Sequence, residues 1–287
     1  MTLTAREAAE VAAANESGKQ PVVFVHGLWL LPVSWSPWRA LFEEEGYATL
    51  APGWPDDPET VEQARANPQV FAGKGVGQVT DHHAEVIRGL SRKPIVIGHS
   101  FGGLITQKLA GEGLAVGAVA IDPAPFRGVL PLPISALRSA FPVLGNPLNR
   151  KKAIALTEEQ FRFGWTHVLS AEESAILYAQ HHVAAPAKPL FQAAFANFNP
   201  RSETKVNTKQ PHRGPLLIIS GERDHTVPWA IANASYKRWK HNEAPTEITE
   251  MKGRTHSLTI DSGWHEVAET AIAFLQSHGL RADPSPG

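Results

Sequence analysis

The sequence contains no cysteine, which excludes disulfide bonds and thiol chemistry. It also lacks any run of about 18 apolar residues, the length that crosses a bilayer, so no membrane span is predicted. Residues 1–20 mix alanine with arginine and glutamate and have no apolar core like that of a signal peptide. They predict a short amphipathic helix or an irregular arm, and the cytoplasm is the expected location.

An excess of charge of either sign is absent as well. The 27 Lys and Arg nearly balance the 28 Asp and Glu, and no basic stripe is present, which disfavours nucleic acid as a partner. The 13 histidines include no H-E-x-x-H pattern. The adjacent pairs His82-His83 and His181-His182 would splay apart on a helix, so we interpret them as parts of solvated helix faces. Neither a metal ion nor an organic cofactor is expected.

Segments typical of strands and helices alternate along the chain, which predicts a parallel sheet with helices on both faces. The fold class is therefore α/β, a mostly parallel, doubly wound sheet of about six strands in three α/β/α layers. The predicted strands are residues 21–25, 48–51, 94–97, 116–121, 215–219 and 246–251. Residues 52–73 are rich in Pro, Asp and Gly and predict a loop. The last seven residues, RADPSPG, are expected to fray.

About ninety residues separate the fourth and fifth predicted strands, far more than a strand–helix–strand crossover needs. Residues 157–169, which begin with the capping-box pattern Thr-Glu-Glu-Gln, and residues 171–182 are predicted to be helical. We therefore predict a helical cap at 123–213, inserted into a core formed by residues 1–122 and 214–287.

The sharpest motif is Gly98-His99-Ser100-Phe101-Gly102, a G-x-S-x-G string. Apolar residues of a predicted strand precede it, and a predicted helix starts directly after Ser100. A strand that turns at once into a helix would hold the serine at a sharp corner, with glycines where a Cβ would clash. The free N–H groups of the helix N-terminus would face developing negative charge. The motif predicts that Ser100 is a nucleophile.

A serine hydroxyl needs a base, and the base needs an orienting acid. Asp224 follows the fifth predicted strand and His256 follows the sixth. Because the carboxyl ends of parallel strands meet at one edge of the sheet, we expect both residues near Ser100. Asp122, which ends the fourth strand, is the alternative acid, and its other possible role is to tie the turn at Pro123.

The sequence resembles the α/β-hydrolase superfamily from about residue 21 to residue 276. The motifs that carry the resemblance are VHG at 25–27, GHSFGG at 98–103, SGERDHTVP at 220–228 and GRTHS at 253–257. The resemblance implies a Ser100–His256–Asp224 triad and an oxyanion hole formed by the backbone N–H groups of Phe101 and Leu28. No HGGG motif is present, so Trp29 is the alternative to Leu28 as the second donor. His26 is expected to hydrogen-bond beneath this loop and hold its shape.

Aromatic and apolar side chains near the expected site predict an apolar pocket for a small-molecule ester with apolar or aromatic groups. The candidate lining residues are Trp29, Phe126, Trp165, Phe191, Phe195 and Leu258. Arg127 is expected to form a structural salt bridge, with contact to an anionic substrate group as the alternative.

The leading functional hypothesis is hydrolysis of a carboxylic ester through an acyl-enzyme intermediate. The same triad could instead serve lactone, amide or C–C hydrolysis, acyl transfer, hydroxynitrile lysis, or cofactor-free perhydrolase or haloperoxidase activity. A ligand-binding protein without turnover is the alternative from another class. That class predicts a broken triad, whereas all three residue types are present here.

Overall fold

Residues 3–282 are described by the computed structural model, and eight β-strands lie within them. Six of the strands form one parallel sheet in the order β2-β1-β3-β4-β7-β8, and β5 pairs with β6 in a small antiparallel sheet. The prediction of about six parallel strands is confirmed. The strands are β1 (Pro21–Val25), β2 (Ala48–Leu50), β3 (Ile95–His99), β4 (Gly117–Ile121), β5 (Ala153–Ile154), β6 (Ala185–Pro186), β7 (Leu216–Gly221) and β8 (Thr246–Met251).

Eleven α-helices accompany these strands within the same described residues. They are α1 (Ala5–Ser17), α2 (Ser36–Glu44), α3 (Val61–Ala66), α4 (Val76–Arg88), α5 (Phe101–Gly111), α6 (Ile134–Leu144), α7 (Glu158–Phe161), α8 (Ala171–His181), α9 (Lys188–Ala194), α10 (Trp229–Trp239) and α11 (Trp264–Ser277). None of the helices within residues 3–282 combines the length and the apolar character that a membrane span requires. Residues 283–287 of the tail that we expect to fray lie outside the described part of the chain.

Alternate residues of each buried strand face opposite sides of the sheet, and each side has its own apolar core. In β1, Val23 and Val25 belong to the core that also contains side chains of α1, α4, α5 and α10. Val22 and Phe24 belong to the other core, with Trp38 of α2 and side chains of α11. Because both faces are covered, the central strands β1, β3, β4 and β7 are largely apolar rather than alternating, as parallel strands usually are.

The strand order places the functional loops. The chain runs outward from β1 to β2 and then returns to the other side of β1 to form β3. This reversal opens a crevice at the carboxyl ends of β1 and β3, where ligands bind in open α/β sheets. The loops that follow β3, β4, β7 and β8 open at the same edge.

Residues 122–215, here called the linking segment, join β4 to β7. They contain α6 to α9 and the small β5–β6 sheet. The predicted capping box is present, since the Thr157 hydroxyl accepts from the Gln160 N–H. The regular helix nevertheless ends at Phe161, and one π-helical turn, Arg162–Thr166, follows it.

One predicted loop is partly helical. Residues 52–73 contain α3, which is capped by Thr60, and the 3₁₀ turn Pro68–Phe71. The Thr60 side chain accepts from the Gln63 N–H, and the Gln63 side chain bonds back to the cap backbone. The sequence of this capping box is Thr-Val-Glu-Gln. The prediction of a loop relied on the surrounding Pro, Gly and Asp residues and overlooked this pattern.

Candidate active site

Ser100 occupies a strained corner between β3 and α5. Its φ of 57° and ψ of −120° lie outside the backbone conformations that non-glycine residues favour, at a cost of about 1–3 kcal/mol. Three backbone hydrogen bonds hold the corner. The Ser100 N–H donates to the Ile121 carbonyl at 2.9 Å, and the Ser100 carbonyl accepts from Leu104 and Ala124.

The motif glycines are required by the close approach of other backbone. A Cβ on Gly98 would overlap the Gly102 carbonyl and the Thr106 hydroxyl, and a Cβ on Gly102 would overlap the Val25 carbonyl of β1. Any side chain at either position would push β1 or α5 away from Ser100.

The His256 imidazole lies beside Ser100, in the loop after β8. Its Nε2 is 3.0 Å from Ser100 Oγ. Two rings enclose it, with centroids 4.6 Å away: Trp165 of the π-helical turn, edge-on, and His99 at the end of β3. The Trp165 carbonyl also accepts from the N–H of Ser257. The linking segment therefore packs directly on the histidine.

Asp224 completes a hydrogen-bonded chain. Its Oδ2 accepts from His256 Nδ1 at 2.6 Å, while its Oδ1 accepts from the N–H groups of Thr226 at 2.6 Å and Val227 at 2.9 Å. Both carboxylate oxygens are therefore fixed. With the Nδ1 proton turned toward Asp224, the neutral imidazole presents an unprotonated Nε2 to Ser100, as a general base must.

Asp122 approaches the same ring nitrogen without bonding to it. Its Oδ2 lies 3.9 Å from His256 Nδ1, and its Oδ1 accepts from the Gly221 N–H at 2.8 Å. Burial and the neighbouring Asp224 carboxylate raise the pKa of Asp122 well above its ordinary value, which favours its protonated form. The shorter distance and the charge both favour Asp224 as the partner of His256.

One cluster within residues 3–282 brings together side chains that could ligate a metal ion: His99, Asp122 and His256, whose ligand atoms lie within 4.8 Å of one another. If His256 ligated through Nδ1, that ligation would displace the hydrogen bond from Nδ1 to Asp224 Oδ2.

Three of the four histidines in the adjacent pairs are buried rather than on solvated faces, contrary to our expectation, and His181 is half-buried. His82 and His83 are both buried, and they donate to Glu7 Oε1 and to the Val79 carbonyl. His182 is also buried and accepts from the Leu156 N–H. Each buried ring found a hydrogen-bond partner, some of them far away in the sequence, which adjacency alone cannot reveal.

The loop after β1 lies against the Ser100 corner. The position that a Cβ of Gly27 would occupy is 2.8 Å from Ser100 Cβ and 3.5 Å from the Phe101 nitrogen. Leu28 and Trp29 follow, and Trp29 has a positive φ of 65°. The N–H of Phe101 is free of helix bonding because it begins α5. Trp29 and Phe101 line the same cleft as Ser100, and the assignment of Leu28 as the second N–H donor stays a prediction.

His26 holds this loop as expected. Its two ring nitrogens hydrogen-bond the Gly27 carbonyl and Asp57 Oδ2, each at 2.9 Å. The Trp54 ring stacks on it, and Trp54 Nε1 donates to the His26 carbonyl.

An apolar cleft opens onto Ser100 between α6, α9 and the start of α10. Besides Trp29, Ser100 and Phe101, small or aliphatic side chains form most of its wall, among them Pro125, Ala136, Leu137, Ala140, Leu144, Leu190, Ala193, Val227 and Ile231. These residues were not predicted from the sequence, because the predicted pocket was based on aromatic side chains. The spacing of Ala136, Ala140 and Leu144 on one face of a helix was the available signal.

Most of the aromatic candidates lie elsewhere, which corrects the predicted pocket. Trp29 lines the cleft, whereas Trp165 packs behind His256, and Phe126 and Leu258 are buried in the two cores. Phe191 and Phe195 line a separate polar cavity with Arg150, Lys188 and Arg201. The orientation of α9 decides this, since its Leu190 and Ala193 face the cleft instead.

The expected salt bridge of Arg127 is not formed with any residue of the described chain. Its Nε donates to the Asn199 carbonyl at 3.1 Å. Neither does Arg127 line the cleft at Ser100.

Comparison with known proteins gives a family and a set of similar folds. Residues 22–270 match the model of the alpha/beta hydrolase family. No protein of curated function matches the sequence.

Solved structures similar to the chain include a Paleococcus ferrophilus monoacylglycerol lipase, with 21% identity and a TM-score of 0.62 over 91% of this chain and 98% of the other. A methylesterase from Arabidopsis has 14% identity and a TM-score of 0.63, covering 90% and 99%. A polyneuridine aldehyde esterase has 17% identity and a TM-score of 0.60, covering 89% and 98%. At these identities the likeness shows the fold alone.

Proposed function

The chain belongs to the alpha/beta hydrolase family, and on that basis we propose that it is a serine hydrolase that cleaves a carboxylic ester through an acyl-enzyme intermediate. One observation carries the proposal: the His256 imidazole bridges Ser100 Oγ at 3.0 Å and Asp224 Oδ2 at 2.6 Å. This is the relation that a base has to its nucleophile and to its orienting acid.

In the proposed reaction, Ser100 Oγ attacks the ester carbonyl while its proton passes to His256 Nε2. Asp224 stabilises the imidazolium that results. The negative charge on the carbonyl oxygen is held by the N–H of Phe101 and that of Leu28. The C–O bond of the ester then breaks, the alcohol leaves with the proton from His256, and the acyl group remains on Ser100. Water, deprotonated by His256, releases the acid and restores the serine.

The cleft indicates the kind of substrate. Its wall is formed largely by aliphatic side chains of α6, α9 and α10, and no Lys, Arg, Asp or Glu of the described residues lines it. An uncharged ester with an apolar or aromatic group would bury that group there at about 25 cal/mol per Å². We further propose that residues 123–213 act as a cap over a core formed by 1–122 and 214–287.

A fluorophosphonate probe tests the nucleophile directly. Wild-type protein should be labelled on Ser100 and should hydrolyse nitrophenyl esters, whereas Ser100→Ala should lose the label and at least about 1,000-fold in kcat. Ser139 lines the same cleft and donates to or accepts from Thr226, so Ser139→Ala is the matched control and should keep both activities. Labelling without turnover of any ester would move the reaction to another of the bond types that this triad serves. Absence of labelling would reject the serine hydrolase.

A further inference from the structure

Exposed apolar side chains are concentrated beside the cleft. Of the eleven large apolar residues that are exposed among those described, six lie between residues 130 and 148, with exposed fractions of 48% to 84%. They occupy the loop before α6, α6 itself and the 3₁₀ turn after it, and we call them the apolar face: Leu130, Leu132, Ile134, Leu137, Phe141 and Leu148. Such concentrations on soluble proteins usually mark an interaction site.

The apolar face is continuous with the mouth of the cleft. Leu132 and Leu137 belong to both, being 66% and 48% exposed while lining the cleft that leads to Ser100. Ala136 and Ala140 of the same helix form the cleft wall. An apolar molecule would therefore move from the face into the cleft without crossing polar surface.

The segment that carries the apolar face has charge of one sign. Residues 123–157 contain five basic residues and no Asp or Glu. Arg138, Arg150, Lys151 and Lys152 are exposed, and within residues 3–282 none of them forms an ion pair.

A basic cavity adjoins this region. Arg150, Lys188 and Arg201 line it, and Glu203 is the one acidic residue of its wall. The helix α9 separates this cavity from the cleft, since Lys188 faces the first and Leu190 faces the second. Cations therefore lie on one side of α9 and the apolar wall of the cleft on the other.

We propose that the apolar face docks on a lipid surface that carries anionic headgroups, with the mouth of the cleft turned toward the lipid. The apolar side chains would enter the acyl region, and the arginines and lysines would lie among the phosphates. A second copy of the chain fits less well, because a two-fold interface would bring these unpaired cations against their own copies. The proposal concerns binding and does not rest on the hydrolase activity.

Sedimentation with lipid vesicles tests the docking. We expect the full-length protein to bind phosphatidylglycerol vesicles, to bind phosphatidylcholine vesicles much more weakly, and to be released by high salt. Ile134→Ser/Phe141→Ser should weaken binding to phosphatidylglycerol by about tenfold or more. Arg150→Glu/Lys151→Glu should weaken it by about fivefold or more for each charge.

Matched variants away from the face serve as controls. Ile176 is an exposed residue of α8, and Ile176→Ser should leave binding unchanged. Lys19 and Lys93 precede β1 and β3, at the edge of the sheet opposite the site, and Lys19→Glu/Lys93→Glu should have little effect. Ile134 and Phe141 do not line the cleft, so their double variant should keep wild-type turnover of a soluble short-chain ester, which shows that it is folded.

Three results would overturn the docking proposal. The first is equal binding to both kinds of vesicle, and the second is an equal loss of vesicle binding in the control variants. The third is a wild-type dimer in sedimentation velocity that Ile134→Ser/Phe141→Ser dissociates, with neither protein binding vesicles. Failure of the proposed hydrolase would look different, since Ser100 would then resist the fluorophosphonate while vesicle binding persisted.

Discussion

The ring of Trp165 meets the ring of His256 edge-on, with the centroids 4.6 Å apart. Trp165 lies in a π-helical turn of the linking segment, whereas His256 lies in the loop after the last strand of the sheet. The linking segment thus packs directly against the proposed base.

Trp165→Ala should slow catalysis by removing that support. A histidine that shifts by about 1 Å from its productive position loses on the order of 100-fold in rate, so we expect a drop in kcat with a smaller change in KM. Steady-state kinetics with a nitrophenyl ester would measure this split.

Trp165→Phe is the control for the same site. The Trp165 Nε1 has no hydrogen-bond partner among the described residues, so phenylalanine keeps an aromatic ring and loses no bond. It should retain most of the activity. An equal loss in both variants, with unchanged melting temperatures, would show that the indole does more than hold His256.

Asp224→Asn should lower kcat by orders of magnitude more than Asp122→Asn does. Asp224 accepts from His256 at 2.6 Å, and an amide there would favour the wrong tautomer, which lowers kcat by about 10⁴-fold in a comparable triad. Asp122 lies 3.9 Å away, and its bond from Gly221 can be kept by an amide oxygen. We expect Asp122→Asn to stay within about tenfold of wild type. A greater loss at Asp122 would reassign the acid to the loop after β4.

Ala193→Leu should shorten the space available to the substrate. Ala193 lines the cleft from α9, and each methylene that no longer fits costs about 1–3 kcal/mol in specificity. With nitrophenyl esters of graded acyl length, kcat/KM for the longer chains should fall by about tenfold or more, while the acetate changes little. Ala179→Leu, on the exposed side of α8, should leave the profile unchanged. A uniform fall for all chain lengths would mean that the acyl group does not lie beside α9.

Glu7→Gln should destabilise the fold in a pH-dependent way. Burial raises the pKa of Glu7, but hydrogen bonds from His82 and Thr4 outweigh burial and lower the pKa from 4.5 to about 2. Because the folded-state pKa lies below the unfolded one, the stabilisation is complete above about pH 4.5 and is lost as the pH falls toward 2. At about 1.4 kcal/mol for each pH unit between the two values, the variant should lose about 3–4 kcal/mol at pH 7.

Urea unfolding of both proteins between pH 7 and pH 3 would measure this difference, which should narrow below pH 4.5. Glu16→Gln, on the exposed side of the same helix, is the control and should match wild type throughout. A difference that is constant with pH would mean that Glu7 acts through packing rather than charge.

Much of the core fold could be predicted from local patterns. The β-branched runs predicted the strands, and the glycines around Ser100 predicted the sharp corner. The positions of Ser100, Asp224 and His256 directly after strands predicted that they lie at one edge of the sheet. The cleft could not be predicted in the same way. Whether Phe191 or Ala193 faces Ser100 depends on how α9 rotates against α6, and that rotation is set by contacts between elements that no local pattern encodes.

The burial of polar side chains could not be predicted from the sequence either. His82 and His83 were expected in solvent because adjacent side chains splay apart on a helix, yet both are buried on α4, where His82 bonds to Glu7 of α1. The partner Glu7 lies 75 residues away. A burial that depends on such a distant hydrogen bond has no signature in the neighbouring sequence.

The sheet order has a kinetic consequence. Ser100 and His256 are 156 residues apart in the chain, and the neighbouring strands β4 and β7 are separated in sequence by the whole linking segment. The chain loses conformational entropy when so long a loop closes, before the stabilising contacts between the strands have formed. Loop closure is therefore expected to be a slow step in refolding. If the protein refolds after dilution from urea, helical structure should return first. Hydrolysis should return only when β7 and β8 have docked, because the loops after these strands carry Asp224 and His256. The recovery of activity would therefore measure the rate of that final step.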